Sequence, residues 1–130
     1  LCQVAKGVRE KLFIYGNDWP TPDGTCYRDY IHVMDLAEVH FLSMEYILKL
    51  ENCNLILNVG TGKSNSVLEL INAFEKVNNI KINREFIKRR KGDIANSYAS
   101  TKKISRILNW KPSKNIYDMC KDGWRWQKNL

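Results

Sequence analysis

Three side chains in this 130-residue sequence have the types and placement to do recognisable chemistry together: Arg28, Arg90 and Asp93. Two arginines from distant segments can fork onto a diphosphate, each through charge-assisted hydrogen bonds. Asp93 stands three residues beyond Arg90, across Gly92. A carboxylate placed there can accept hydrogen bonds from a pair of hydroxyls such as a ribose diol. The structural alternative is that Arg28 simply pairs with Asp29 or Asp35.

Other motifs resemble chemistry but fail on context. Gly60-x-Gly62 invites a dinucleotide reading, but position 65 is Asn where the third glycine is required. No acid follows at the spacing a βαβ unit would give, so the glycines read as a tight strand-to-helix turn. Gly62-Lys63-Ser64 resembles the end of a P-loop, yet the first glycine would fall at Leu57. Tyr-x-x-x-Lys occurs twice, at Tyr98/Lys102 and Tyr117/Lys121. A lysine there can lower a tyrosine pKa, but two hits without an upstream nucleotide fingerprint read as chance. His32 and His40 have no serine or cysteine partner in view and read as hydrogen-bonded structural histidines.

The net charge is +7, with the densest basic run at Lys88-Arg89-Arg90-Lys91. That charge implies an anionic partner or a solvated basic face. No nucleic-acid-binding signature accompanies the run, so no nucleic-acid partner is expected. No run of about 18 apolar residues is present, and no membrane partner is expected. Cys2, Cys26, Cys53 and Cys120 contain no C-x-x-C pair. They read as reduced thiols of a cytoplasmic protein, with no metal site. Leu1 to Gly7 is not a signal peptide and reads as the tail of a helix, so the chain is expected to be part of a longer protein.

The elements that must carry these residues can be read in order. Leu12 to Tyr15 is β-prone and ends at the turn Gly16-Asn17-Asp18. Pro20, Pro22 and Asp23-Gly24 keep the next segment extended and turning. Tyr27 to Val33 reads as a second strand, carrying His32. Asp35 is the expected N-cap of a helix whose apolar positions recur from Leu36 to Leu50. Leu55 to Val59 reads as an apolar, central strand. Ser66 and Glu69 form a capping box, followed by the stripe Val67, Leu70, Ile71, Phe74 and Val77. Asn78-Asn79 ends that helix. Lys81 to Ile87 reads as a strand with Ile82 inward, and Gly92 to Ser100 as irregular. Thr101 and Ser113 are the expected caps of two further helices, separated by Trp110 and Pro112. The residues alone point to a single anion-binding α/β domain over 1–130, with too few alternating strands for a complete doubly wound nucleotide domain.

The run Gly16-Asn17-Asp18-x-Pro20-Thr21-x-Asp23-Gly24-Thr25-x-x-Arg28-Asp29-Tyr30-Ile31-His32-Val33-Met34-Asp35-Leu36-Ala37 resembles the UDP-glucose 4-epimerase family. The likeness continues through Asn58-x-Gly60-x-Gly62, Asn65-Ser66-Val67, Arg89-Arg90-x-Gly92-Asp93, Leu108-Asn109-Trp110 and Asp122-x-Trp124-x-Trp126-Gln127. It covers essentially the whole chain. The resemblance implies the small mixed α/β C-terminal substrate domain of a Rossmann-type extended short-chain dehydrogenase, with the NAD-binding Rossmann domain absent from this chain. It implies that the catalytic Tyr/Lys pair and the NAD site lie upstream, that this portion alone is inactive, and that the parent enzyme is a homodimer. It also implies roles for individual residues. Phe13, Ile14 and Tyr15 would lie against the uracil, largely through backbone groups. Arg28, with Tyr30 beside it, would contact the UDP moiety. Arg90 would bind the diphosphate, with Lys91 and Gly92 completing the loop, and Asp93 would hold the uridine ribose. Ser97 falls where the family carries a bulky tyrosine or a small residue beside the hexose. A small residue there leaves room for a 2-acetamido group, and so for UDP-N-acetylglucosamine and UDP-N-acetylgalactosamine beside UDP-glucose and UDP-galactose. Two rival classes stand beside this reading: a related nucleotide-sugar dehydratase or decarboxylase, and a non-enzymatic basic anion-binding module.

Overall fold

The computed structural model describes residues 1–50 and 54–130. Its elements are α1 (Cys2–Ala5), β1 (Leu12–Tyr15), β2 (Tyr27–Arg28), α2 (Val33–Ile47), β3 (Asn65–Ser66), α3 (Val67–Asn78), β4 (Arg84–Ile87), β5 (Asn96–Ser97), α4 (Lys102–Leu108) and α5 (Ile116–Lys128). β1 and β4 form a parallel pair with Ile14 opposite Phe86. β2 is the middle strand of a second sheet, antiparallel to β3 and parallel to β5, so that Arg28 lies between Asn65 and Ser97. The chain is therefore α/β with two small sheets, one of them mixed.

Helix α3 forms where the sequence supplies both a start signal and a buried stripe. The Ser66 hydroxyl accepts from Glu69 N at 2.9 Å, and the Glu69 carboxylate accepts from Ser66 N at 2.7 Å, satisfying two amides that the first turn leaves unpaired. The helix stops at Asn79, which adopts the left-handed conformation with φ +52°. Its stripe buries Ile71 and Phe74 against α5, where the Phe74 ring meets Trp124 edge-on at 6.2 Å. Ile14, Ala73, Ile82 and Cys120 complete this cluster. The Asn78 amide ties the two helices by donating to the Phe74 and Cys120 carbonyls. A second cluster gathers Val39, Ile104 and Trp110, with Leu57 and Val59 packed against it.

Several expected boundaries move, each for a local reason. The strand expected over Tyr27 to Val33 is only Tyr27–Arg28, and His32 is no strand residue. It caps α2 instead: His32 Nδ1 accepts from Met34 N at 3.0 Å, leaving the Nε2 proton for Asp122 at 3.2 Å. Asp35, the expected cap, lies buried in the first turn and accepts from Ser113 N, Ser113 Oγ and Lys114 N. Ser113 is thereby engaged, and Asn115 caps α5 with Asp118 as its capping-box partner. Thr101 stands at the cap position of α4 without a side-chain cap bond. The strand expected at Lys81 to Ile87 begins at Arg84, after the buried Ile82. Leu55 to Val59 is not a strand; Leu55, Leu57 and Val59 are half-buried while Ile56 and Asn58 are exposed, and the run has no backbone partner among the described residues. Two elements arise where no strand is expected, β3 and β5. Cys2, Cys26 and Cys120 are free thiols, and Cys53 lies outside the described residues. Burial pushes the Cys120 thiol up to about 11. Among the described residues no helix is long and apolar enough to cross a membrane.

Two outcomes follow from this packing. Phe74→Ala removes the ring at the centre of the α3–α5 contact and lowers unfolding free energy by about 3–5 kcal/mol, read as a fall in the urea midpoint. Burial pushes the Asp35 carboxyl up, but the bonds from Ser113 and Lys114 outweigh it and hold the group below its ordinary range. A depressed folded pKa contributes stability above the unfolded pKa, about 3.9, and loses it as pH falls through the folded value. Asp35→Asn thus destabilises by about 2–3 kcal/mol at pH 7, and urea titrations below about pH 4 show the gap to the unaltered chain closing.

Candidate functional site

The site is built on β2. Tyr27 N donates to Ala95 O at 2.8 Å and Asp29 N to Ser97 O at 3.1 Å, while on the other side Val67 N donates to Cys26 O at 3.0 Å. A strand held on both edges fixes the Arg28 backbone. The guanidinium is fixed as well: Arg28 Nη1 donates to the carbonyls of Tyr27 and Ile94, both at 2.8 Å. That leaves Nη2 facing Asp93 Oδ1 at 3.8 Å.

Asp93 joins the two arginines. It accepts from Arg90 Nε at 3.0 Å and from Arg90 Nη2 at 3.4 Å. The turn that returns Asp93 onto Arg90 closes with Asp93 N donating to Arg90 O at 3.3 Å, and Gly92 at φ +90° supplies the left-handed step it needs. The Arg90 guanidinium lies over the Tyr15 ring, 4.4 Å from its centre. Tyr15, Arg90, Asp93 and Arg28 therefore form one continuous group, with Ser97 beside Arg28 across the sheet. Side-chain exposure falls from 60% at Arg90 through 29% at Arg28 to 20% at Asp93, so the carboxylate is the inner member. Arg28 pairs with neither Asp29 nor Asp35. Lys91 and Ser97 are exposed.

Asp29 serves the site from behind. Its carboxylate accepts from Thr61 N and Oγ1, Gly62 N and Ala99 N, at 2.6–3.1 Å. Burial pushes this carboxyl up, and the four bonds more than offset that and hold it low. A Cβ at Gly60 would collide with the Asp29 carboxylate and the Ala99 methyl. The Gly60-x-Gly62 pair is thus filled by protein groups and leaves no cradle for a dinucleotide pyrophosphate. Asp23 plays a similar part for the preceding turn, accepting from Thr25 N, Thr25 Oγ1 and Ser66 Oγ.

Strand β1 contributes an edge. Leu12 N and Gly16 N donate to the Asn83 and Ile87 carbonyls of the β4 segment, both at 2.8 Å. By alternation the Phe13 and Tyr15 amides and carbonyls face the opposite, unpaired edge. Tyr15 O there accepts from Trp19 Nε1 at 3.1 Å. Ile14, at 2% exposure, points into the core, so its side chain is unavailable to a ligand. A cavity of about 450 Å³ runs along this edge, lined by Val4, Arg9, Phe13 and Tyr15 among others. Asp18 and Arg89 belong to the turn and the basic run read from the sequence, whereas Trp19 stands outside those motifs, and no site role is expected for any of the three. Arg89 stacks 4.1 Å over Trp19 and pairs with Asp18 at 2.7 Å, so consecutive arginines serve opposite sides of the loop. The only advance signal is the arginine pair itself, met by aromatics at 15 and 19.

The remaining candidates stand apart. Tyr98 and Tyr117 are exposed and make no side-chain hydrogen bond among the described residues. His40 Nδ1 bonds its own helix at Leu36 O. No group of three or more His, Cys, Asp or Glu among the described residues is placed to hold a metal.

Comparison with known proteins now adds a family. The family model described as GDP-mannose 4,6 dehydratase matches residues 1–123. A UDP-glucose 4-epimerase of Bacillus subtilis (strain 168) is 46% identical over 129 residues, covering 99% of this chain and 38% of the relative. Among solved structures, UDP-glucose-4-epimerase from Stenotrophomonas maltophila, with bound NAD and formylated UDP-arabinopyranose, superposes with a TM-score of 0.93 at 43% identity. The enzyme from Bifidobacterium longum, in complex with NAD+ and UDP, gives 0.91 at 40%. Each of these matches covers 98% of this chain and 38% of the structure. The chain thus spans little more than a third of the length of its relatives. With Arg28 on the mixed sheet and Arg90 in the loop after β4 both facing Asp93, and with this likeness along its length, the chain belongs to the GDP-mannose 4,6 dehydratase family and corresponds to the C-terminal portion of its UDP-glucose 4-epimerases.

Proposed function

We propose that this chain is the UDP-gripping portion of an NAD-dependent UDP-glucose 4-epimerase that interconverts UDP-glucose and UDP-galactose. The observation that carries the proposal is the convergence of Arg28 and Arg90 on Asp93 beside the unpaired edge of β1. Along that edge Phe13 N–H, Phe13 C=O and Tyr15 N–H alternate as donor, acceptor and donor. Uracil presents the complementary acceptor, donor and acceptor at O2, N3–H and O4, so the backbone can recognise the base with little demand on side chains. Ile14 then acts through its place in the strand. Arg28 and Arg90 take the diphosphate, with Lys91 and Gly92 in the same loop, and Asp93 accepts from the ribose diol. Ser97, one sheet position from Arg28, lies beside the hexose.

In this assignment the 130 residues bind and orient, and carry no proton-transfer group. NAD supplies hydride chemistry when bound. The one glycine turn here that resembles a dinucleotide cradle is filled by Asp29 and Ala99, so the proposal places NAD and the catalytic base on the rest of a homodimeric enzyme. Binding energy concentrated on UDP holds the nucleotide while leaving the hexose free to present either face.

Calorimetric titration with UDP tests the assignment. Saturable binding is expected, and Arg90→Ala weakens it by about 2–3 kcal/mol, roughly 30- to 150-fold. Unchanged UDP affinity in that variant rejects the diphosphate site. In the whole enzyme, Ser97→Tyr suppresses turnover of UDP-N-acetylglucosamine while sparing UDP-galactose; equal loss on both substrates removes Ser97 from the sugar site.

A further inference from the structure

The two arginines are not open to a diphosphate as they stand. Asp93 takes Arg90 through Nε and Nη2, the same two-pronged face that a phosphate would take. Arg28 has one terminal nitrogen committed to the Tyr27 and Ile94 carbonyls, and the other faces Asp93. A diphosphate gripping both guanidiniums therefore competes with Asp93 for the same donors. Asp93 is also the most enclosed of the three groups, so a phosphate entering beside it meets an anion with little water to screen the repulsion.

We propose that Asp93 is an internal competitor that sets the site's selectivity for a nucleotide over a bare diphosphate. The inference rests on the UDP reading above. A nucleoside diphosphate brings its own compensation, because the ribose diol donates to the carboxylate as the phosphates take over the arginines. Pyrophosphate brings the charge without the diol. It leaves the Asp93 carboxylate displaced and unpaired beside it, an expensive arrangement in a partly desolvated site. The carboxylate thus plays two opposed parts: it opposes the phosphates and holds the ribose.

Opposed parts give opposed signs when the charge is removed. Asp93→Asn is expected to tighten inorganic pyrophosphate by about fivefold, the scale of one partly exposed ion pair, while weakening UDP by about tenfold. Asp93→Ala, which leaves no acceptor at all, moves both affinities in the same directions, and urea midpoints confirm that each variant is folded. In the unaltered chain the Arg90 Nε–H resonance shifts on saturation with pyrophosphate, as Asp93 gives up that bond. If both ligands weaken together, if pyrophosphate affinity stays put in both variants, or if the resonance does not move, the competitor role is overturned. Failure of the UDP reading looks different: the unaltered chain then fails to bind UDP saturably, or Arg90→Ala leaves UDP affinity unchanged, and this inference falls with it.

Discussion

Both oxygens of Asp29 are taken up by segments far away in sequence: the turn at Thr61 and Gly62 on one hand, and Ala99 on the other. The residue before it is Arg28, and two residues before Ala99 is Ser97, its partner across the sheet. A two-residue strand has too few ladder bonds to hold itself, so the positions of Arg28 and Ser97 depend on what anchors their ends. One carboxylate that accepts four bonds does that, and Gly60 is the cost: a side chain there would displace either the acid or Ala99.

The same division runs through the molecule. Asp23, Asp29 and Asp35 sit where amides and hydroxyls converge on them, and each lies below its ordinary pKa because those bonds favour the charged form. They bind the chain to itself. Asp93 instead meets the side chains of Arg90 and Arg28, while Arg28 is itself held by the Tyr27 and Ile94 carbonyls. Structural acids close loops with backbone amides and hydroxyls, whereas the partners of the Asp93 carboxylate are arginine side chains that a ligand can take over.

Features with a local signature are legible in the sequence. The Ser66–Glu69 capping box, the α3 stripe, β1 and the Arg28, Arg90, Asp93 group were all legible, because each is a pattern within a few residues or a rare combination of charges. β3 and β5 were not, since two residues carry no periodicity. The start of helix α2 is not legible in the sequence, because His32 is an unusual cap whose other ring nitrogen meets the distant Asp122. Ser113 looked like a cap for α5 and lost that role to Asn115 because Asp35, 78 positions away in sequence, takes its hydroxyl. Pairing of Arg89 with Asp18 and Trp19 was hidden for the same reason: local composition cannot say which of two adjacent arginines faces which loop. Leu55 to Val59 had the composition of a central strand and the alternating burial of one, but composition supplies no neighbour.

That last segment has a practical consequence. Its outward side chain, Ile56, is 77% exposed, and among the described residues Lys103, which donates to the Ile56 carbonyl, is the side-chain partner of its backbone. Among the described residues this uncharged run makes no backbone–backbone hydrogen bond, so apart from the Ile56 carbonyl its peptide groups are available to a strand laid beside it. Replacing Lys103 would leave the Ile56 carbonyl without its side-chain partner and the run more open to pairing with another extended segment.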